Sequence, residues 1–311
     1  MILVTGGAGF IGTNLTNLLL SKGYEVVVFD DLSSGKLDNL KQHLQKKNFK
    51  FVKGDIRDKE AVNSVMRGIE EVYHLAADPS VKDSAEKPER SFEINVIGTF
   101  NLLEAARKNN VKKIVFTSSS TVYGETNVLP TPEEHPMVPI SNYAASKVAC
   151  ESYISSYAFT YGIKGVVLRL ANIFGPYSTH GVMYDFYRKL KANPEKLEIL
   201  GNGKQSKSYL YITDCLDAVL LASKKQKKVY DYFNVGSSEM TIVNEIARYV
   251  CSAMNVKPRF EYTGGKRGWK GDVVKMLLST KKIEKLGWRR KVSLKEGIEK
   301  YIRWLDSTPL S

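Results

Sequence analysis

The sequence predicts an α/β protein, a doubly wound parallel (Rossmann) sheet with a smaller C-terminal α+β lobe. Three observations carry this. Short β-branched runs alternate with helical patterns through the first half. A glycine-rich turn stands between the first run and the first helix. Beyond residue 171 the alternation breaks down into short, irregular segments.

Taken in order, Met1–Val4 reads as the first strand, and Asn14–Lys22 as a helix with Leu15, Leu18 and Leu19 on one face. Glu25–Phe29 is the second strand, and its Val26-Val27-Val28 run implies burial on both faces. Phe49–Val52, Glu71–Leu75, Lys113–Thr117 and Gly165–Arg169 follow, the middle two each preceded by a helical stretch. Gly201-Asn202-Gly203 and Gly264-Gly265 mark turns in the second part, and Tyr232–Val235 reads as a strand returning to the sheet. The expected division is 1–171 and 172–311, with a segment near 206–236 rejoining the first. The two lobes are expected to meet at the carboxyl ends of the strands, where such sheets bind ligands.

Composition narrows the classes. The chain has 311 residues, 43% of them apolar, enough for a substantial core. Cys150, Cys215 and Cys251 are scattered and odd in number, and none stands in a metal-ligand or CxxC spacing. No disulfide framework and no metal is expected, and reduced core thiols suit a cytoplasmic protein. No run reaches the ~20 apolar residues of a membrane helix, and the N-terminus enters a strand directly, so no signal peptide is expected.

Lys plus Arg is 46 and Asp plus Glu 33, a net of +13. The excess is unevenly placed. Residues 1–171 carry 20 basic and 19 acidic side chains, and residues 172–311 carry 26 and 14. Such basicity fits either nucleic acid or a small polyanion. With 34 Lys against 12 Arg, no recognised DNA- or RNA-binding motif and no basic stretch interleaved with aromatics, nucleic acid is not the expected partner.

The first strand leads into Thr5-Gly6-Gly7-Ala8-Gly9-Phe10-Ile11-Gly12. Gly6, Gly9 and Gly12 supply a tight turn, close backbone approach to a pyrophosphate and close helix–strand packing, and the pyrophosphate sits at the helix N-terminus. A strand before, a helix after and an acid about 20 residues on complete the dinucleotide signature. Asp30 and Asp31 end the second strand. A carboxylate there accepts from ribose hydroxyls and repels a 2′-phosphate, which favours NAD over NADP.

Tyr143 and Lys147 stand four apart, on one face if the segment is helical. A free tyrosine, with a pKa of ~10, is a poor base at neutral pH, and a nearby ammonium stabilises its phenolate. Ile114–Gly124 puts Ser118, Ser119, Ser120 and Thr121 at the carboxyl end of a parallel strand. A hydroxyl there can position the oxygen that Tyr143 deprotonates.

Together these residues resemble the extended short-chain dehydrogenase/reductase family, and within it the NAD-dependent sugar-nucleotide epimerases, the UDP-glucose 4-epimerases foremost. The resemblance spans essentially the whole chain and includes Gly54–Asp58, His74-Leu75-Ala76-Ala77, Asn95, and Arg169–Asn172 leading to Gly175-Pro176. It implies Ser119, Tyr143 and Lys147 as the catalytic set. It implies Gly6, Gly9, Phe10, Ile11, Gly12, Asp30, Asp31, Ser34, Gly35, Asp55, Ile56, Leu75, Ala76, Ala77, Asn95, Ser118 and Leu170, with Tyr143 and Lys147, as NAD contacts. The UDP-sugar would meet Ser119, Asn172, Gly181, Val182, Ile199, Leu200, Lys207, Tyr209, Arg267, Asp272 and Met276. The implied reaction has Tyr143 take the 4-hydroxyl proton while hydride leaves C4 for NAD. The keto sugar then turns over and takes the hydride back on its other face.

The chain departs from the family in places. Lys207 stands where Arg is common, and Lys lacks the bidentate fork. Trp269 occupies the place of the Arg three before Asp272, so Arg267 is the expected substitute. Pro79 stands where the best-known epimerases have Lys. Met276 stands where the family has a residue that limits the pocket beside the sugar's second carbon, and Met is intermediate and flexible, so the N-acetylated pair joins UDP-glucose and UDP-galactose as expected substrates.

Alternatives within the family are weighed by residue type. Sugar-nucleotide 4,6-dehydratases carry an Asp-Glu pair after the catalytic hydroxyl, and decarboxylases keep a Glu at the second place. Here those positions are Ser120 and Thr121. Redox at a single carbon remains: a 4-epimerase, including one for UDP-glucuronate or UDP-N-acetylglucosamine, or a 4-ketosugar reductase. A dinucleotide-binding sensor without chemistry is the non-enzyme alternative. The resemblance also implies a homodimer, through a four-helix bundle of about Phe92–Lys108 and Tyr143–Tyr161 from each subunit.

Overall fold

A computed structural model describes residues 1–265 and 275–308. Seven strands form the main sheet: β1 (Ile2–Thr5), β2 (Val26–Asp30), β3 (Phe49–Lys53), β4 (Glu71–His74), β5 (Lys113–Ser119), β6 (Lys164–Leu170) and β7 (Tyr230–Val235). Their order is β7-β6-β5-β4-β1-β2-β3. Neighbours from β6 to β3 pair in parallel. At the other edge Gly165 N–H donates to Val229 O and Ala171 N–H to Val235 O, the same step on both strands, as a parallel pair requires. The doubly wound sheet expected from the alternation is present. Its order reverses between β1 and β4, the place where such sheets open a crevice for ligands.

The strands read as apolar runs because both faces are covered. All of Ile2–Thr5 and Val26–Asp30 are buried. Leu3, Phe29, Val72, Ile114, Phe116 and Val167 share one core with Leu102 and Leu103 of the Gly98–Lys108 helix and Ile154 of the Asn142–Tyr161 helix. Each such side chain contributes about 1.5–3 kcal/mol by leaving water.

Two boundaries differ from expectation. The first helix runs Phe10–Ser21, four residues earlier than the leucine pattern suggests, because Gly9 in extended conformation caps it directly. β5 continues two residues past Thr117, so Ser118 and Ser119 belong to the strand. The Asn142–Tyr161 helix starts on Ser141, whose Oγ accepts from Ala144 N–H, and stops on Gly162 at φ +72°, a left-handed cap that suits glycine. Ahead of Gly98–Lys108 the chain makes a wide π-type turn, Phe92–Ile97.

The described chain divides into two compact units. The first comprises Met1–Gly124, His135–Leu170 and Val219–Phe233. The second comprises Glu125–Glu134, Ala171–Ala218 and Asn234–Ser311. Glu125–Glu134, expected with the sheet, falls in the second unit. There Thr131 N–H donates to Leu277 O, and Glu133 Oε1 accepts from Asn234 N–H.

The second unit is α+β, with strands of two to four residues. Asn172–Phe174 pairs with Tyr209–Tyr211, and Lys196–Ile199 with Arg259–Tyr262. Ser206–Lys207 lies between Thr241–Ile242 and Lys275–Met276. Phe174, Tyr211 and Tyr301 pack edge-on in its core. No helix among the described residues is long and apolar enough to cross a membrane.

Candidate active site

The glycine turn follows β1 at the switch point. Gly6 has φ +68°, and a Cβ on it would lie 2.7 Å from Ala76 N, so the turn lies directly on the Leu75–Ala76 backbone. A Cβ on Gly12 would lie 2.0 Å from Gly6 O, and only glycine lets the helix pack this close. Gly9 differs, since a Cβ there would meet only Gly6 O at 3.4 Å. The protein can accommodate a side chain at Gly9; a ligand approaching the backbone cannot. The helix behind it has no side-chain cap and no acid in its first turn, so its leading N–H groups suit an anion. Phe10 and Ile11, which open it, are half-buried.

Asp30 closes the turn from β2. Ala8 N–H donates to its Oδ2 (2.9 Å) and Leu32 N–H to its Oδ1 (2.8 Å). Burial raises its pKa, and the two N–H donors oppose the rise. A carboxylate offers about four lone-pair sites, so both oxygens keep capacity for ribose hydroxyls. Asp31 accepts from Ser33 N–H, Ser34 is exposed, and Gly35 packs on Ala8. Asp55 takes a bidentate bond from Arg57, Nε to Oδ1 and Nη2 to Oδ2, which holds its carboxyl below the usual range, and Ile56 is buried. Leu75, Ala76 and Ala77 are half-buried beyond β4, and Leu170 ends β6. Uncapped helix start, open Gly9 and two-oxygen acid fit a dinucleotide.

Two expected cofactor residues turn their side chains inward. Asn95 Oδ1 accepts from Asp78 N–H, while its Nδ2 donates to Asp78 O and to Ser146 Oγ. Ser118 Oγ donates to Glu151 Oε1 at 2.5 Å. Both side chains serve the scaffold.

Ser119, Tyr143 and Lys147 come together. Lys147 is 3% exposed, its Nζ donating to Thr117 O (3.0 Å) and lying 4.7 Å from the Phe116 ring and 5.8 Å from the Tyr143 ring centroid. Burial brings its pKa down to about 8. Tyr143 is hydrogen-bonded to Ser119; burial pushes its hydroxyl up to about 12, and the Ser119 bond draws it down. Ser119 accepts from Thr121 N–H (3.2 Å) and Thr121 Oγ1–H (2.9 Å). Lysine, phenol and hydroxyl in this arrangement can exchange a proton with a ligand oxygen.

Beneath them lie Glu151, which the sequence did not single out, and Arg169 and His74, which entered only as members of the family motifs. Glu151, one turn after Lys147, pairs with Arg169 (2.7 Å) at 1% and 4% side-chain exposure. Arg169 also donates to Tyr123 Oη and lies over the Tyr123 and Tyr232 rings. His74, 1% exposed, bridges Thr5 Oγ1 (2.8 Å) and Thr99 Oγ1 (2.9 Å). Burial lowers its pKa to about 3, so the ring is neutral. Thr99 Oγ1 donates to Asn95 O, so it accepts from His74 Nε2–H, and Thr5 donates to Nδ1. The helical spacing of Glu151 to Lys147 was a usable signal; Arg169, 18 residues further, gave none.

In the second unit Asn172 Nδ2 donates to Ser208 O. Gly181, at φ +91° with no atom near its absent Cβ, precedes half-buried Val182 and the uncapped Val182–Ala192 helix. Ile199 is buried and Leu200 is 42% exposed. Lys207 is paired in register with Met276, itself 3% exposed, and Tyr209 starts the next strand. Arg267 and Asp272 lie outside the described residues. Among the described residues no group of His, Cys, Asp and Glu could hold a metal.

The profile of a family described as GDP-mannose 4,6 dehydratase matches residues 3–301. The chain belongs to this family. It is 37% identical to a "putative UDP-glucose 4-epimerase" of Methanocaldococcus jannaschii over 313 residues, 99% of each chain. Among solved structures it resembles the UDP-glucose 4-epimerase of Thermotoga maritima with UDP-glucose, at TM-score 0.91, 36% identity and 98% of each chain. It also resembles the Thermus thermophilus UDP-glucose 4-epimerase in complex with NAD, at TM-score 0.89, 37% identity and 99% of each chain. The family's description is broader than one reaction, and the two residues that follow Ser119, Ser120 and Thr121, are both neutral.

Proposed function

We propose that the protein is an NAD-dependent UDP-sugar 4-epimerase that interconverts UDP-galactose and UDP-glucose. The observation that carries this is the Ser119–Tyr143–Lys147 arrangement with a neutral threonine, rather than an acid, on Ser119. Tyr143 takes the proton of the sugar 4-hydroxyl and later returns it. Ser119 donates to the same sugar oxygen. Lys147, still mostly cationic at pH 7, stabilises the phenolate. NAD, when bound, would supply a reversible hydride acceptor for C4. Gly9 admits its pyrophosphate, and Asp30 holds its adenosine ribose.

Substrate binding is assigned to the second unit. Asn172, Lys207, Arg267 and the helix start at Gly181–Val182 take the diphosphate. Ile199 and Leu200 cover the uracil, and Tyr209 and Asp272 complete the nucleotide site. Leu200, a leucine left 42% exposed, suits a base-stacking role. Met276 has a flexible side chain where a rigid ring would set a hard limit, which supports turnover of the N-acetylated pair as well. The active form is a homodimer, and the free, buried cysteines suit the reducing cytoplasm.

The test is incubation of the purified protein with UDP-galactose, UDP-glucose, their N-acetyl forms and UDP-glucuronate, without added cofactor. Interconversion at C4 with no net NADH is expected. Elimination products, or dependence on a stoichiometric reductant, would overturn the reading.

A further inference from the structure

We infer that Thr121 is a positioning residue that fixes the polarity of Ser119, making it a hydrogen-bond donor only. The inference rests on the acid/base role proposed for Tyr143.

A serine hydroxyl has one hydrogen and two lone pairs. On Ser119 both lone pairs are occupied, one by Thr121 N–H at 3.2 Å and one by Thr121 Oγ1–H at 2.9 Å. The backbone bond caps the short Ser120–Tyr123 turn. The hydroxyl bond serves no such purpose, because that turn is already capped. Its consequence is chemical. With no lone pair left, Ser119 meets Tyr143 only by donating its hydrogen. A donor stabilises the phenolate, whereas an acceptor would stabilise the phenol. Its single hydrogen serves one partner at a time, Tyr143 in the free enzyme and the sugar oxygen once substrate is bound; toward that oxygen Ser119 likewise cannot accept, so the leaving proton goes to Tyr143 and not through Ser119.

Without the Thr121 hydroxyl, one lone pair on Ser119 opens. It can then accept from Tyr143 Oη–H and hold the proton where the reaction needs it gone. The other groups around Tyr143 stay unchanged. Lys147 and Cys150 lie on its own helix, with Glu151 beyond them on Arg169. Asp78, after β4, adds an upward push and is itself paired with Arg90 at 3.2 Å. His74 is neutral.

The experiment compares Thr121→Val, which replaces the hydroxyl by a methyl of the same shape, with Thr121→Ser, which keeps it. Steady-state kinetics with UDP-galactose are read across about pH 5.5–9.5. For Thr121→Val, kcat at pH 7 should fall about tenfold with KM within about twofold, and the acidic limb should move up by about one pH unit. Thr121→Ser should restore both. A merely structural role would lower the melting temperature without moving the limb. Wild-type kcat and limb in Thr121→Val would overturn the inference, as would a Thr121→Ser variant that behaves like the valine. Tyr143→Phe is the control. If it keeps full activity, the acid/base reading fails; if it is inactive while Thr121→Val is unaffected, only the present inference fails.

Discussion

Lys147 shows at the scale of one residue how function opposes stability. Its ammonium is buried on the Thr117 carbonyl, and burial lowers its pKa from 10.5 to about 8. The unfolded chain therefore binds this proton more readily than the folded one. As pH falls from about 10.5 to 8 the group costs stability, and below 8 the cost is constant. Lys147→Met should abolish turnover yet raise the stability of the apoprotein at pH 7 by about 1–3 kcal/mol, read by chemical denaturation. Loss of stability would contradict this account. In the wild type, activity should also decline above about pH 8 as the ammonium is lost. The sequence disclosed Tyr143 and Lys147 because helical spacing is a periodic signal, and the strand end offered a hydroxyl among Ser118–Thr121, of which the family resemblance picks out Ser119. It did not disclose Thr121 as a partner, since a hydroxyl two residues from another is common in any loop. Nor did it disclose the Glu151–Arg169 pair, whose geometry arises only when a helix packs on a sheet.

The glycine turn is the element on which the cofactor reading depends. Its glycines answer to different constraints. Gly12 is required by the fold, because a Cβ would press to 2.0 Å from a backbone oxygen. Gly9 is not, because a Cβ there meets nothing closer than 3.4 Å. Gly12→Ala should therefore cost several kcal/mol of stability, about 3 or more. Gly9→Ala should melt within about 1 kcal/mol of wild type yet lose NAD affinity at least about tenfold, measured by titration of the apoprotein. Equal effects on both would contradict the assignment. The turn was legible because glycine spacing, strand and acid stand close together in the chain. The start of its helix was not, because Phe10-Ile11-Gly12 shows no leucine stripe. The second unit was least legible: Ser206–Lys207 pairs with segments more than 30 and more than 60 residues further on. Strands of two residues leave no alternation to read.

For the whole molecule, the charge and the exposed apolar residues matter most. The cofactor half is nearly neutral and the rest carries +12, on a chain of net +13. An excess placed there fits a polyanionic substrate. Phe92, Ile97, Phe100 and Tyr153 stay 36–56% exposed, all on Phe92–Ile97, Gly98–Lys108 and Asn142–Tyr161. Phe100 and Tyr153 meet edge to face at 5.7 Å. An apolar group of this kind on helices that include the Tyr143 helix is what a dimer would cover. The double variant Phe92→Ser, Phe100→Glu should halve the mass found by light scattering, and an unchanged mass would contradict the proposed interface.

With NAD held on the Gly9 turn and Asp30, the hydride taken from C4 would return to C4 while Tyr143 handles the proton. UDP-galactose deuterated at C4, incubated with the enzyme in ordinary water and excess unlabelled NAD, tests it directly. UDP-glucose with the deuterium still on C4 is expected, seen by mass spectrometry and NMR. Loss of the label to solvent or to the free cofactor would contradict it.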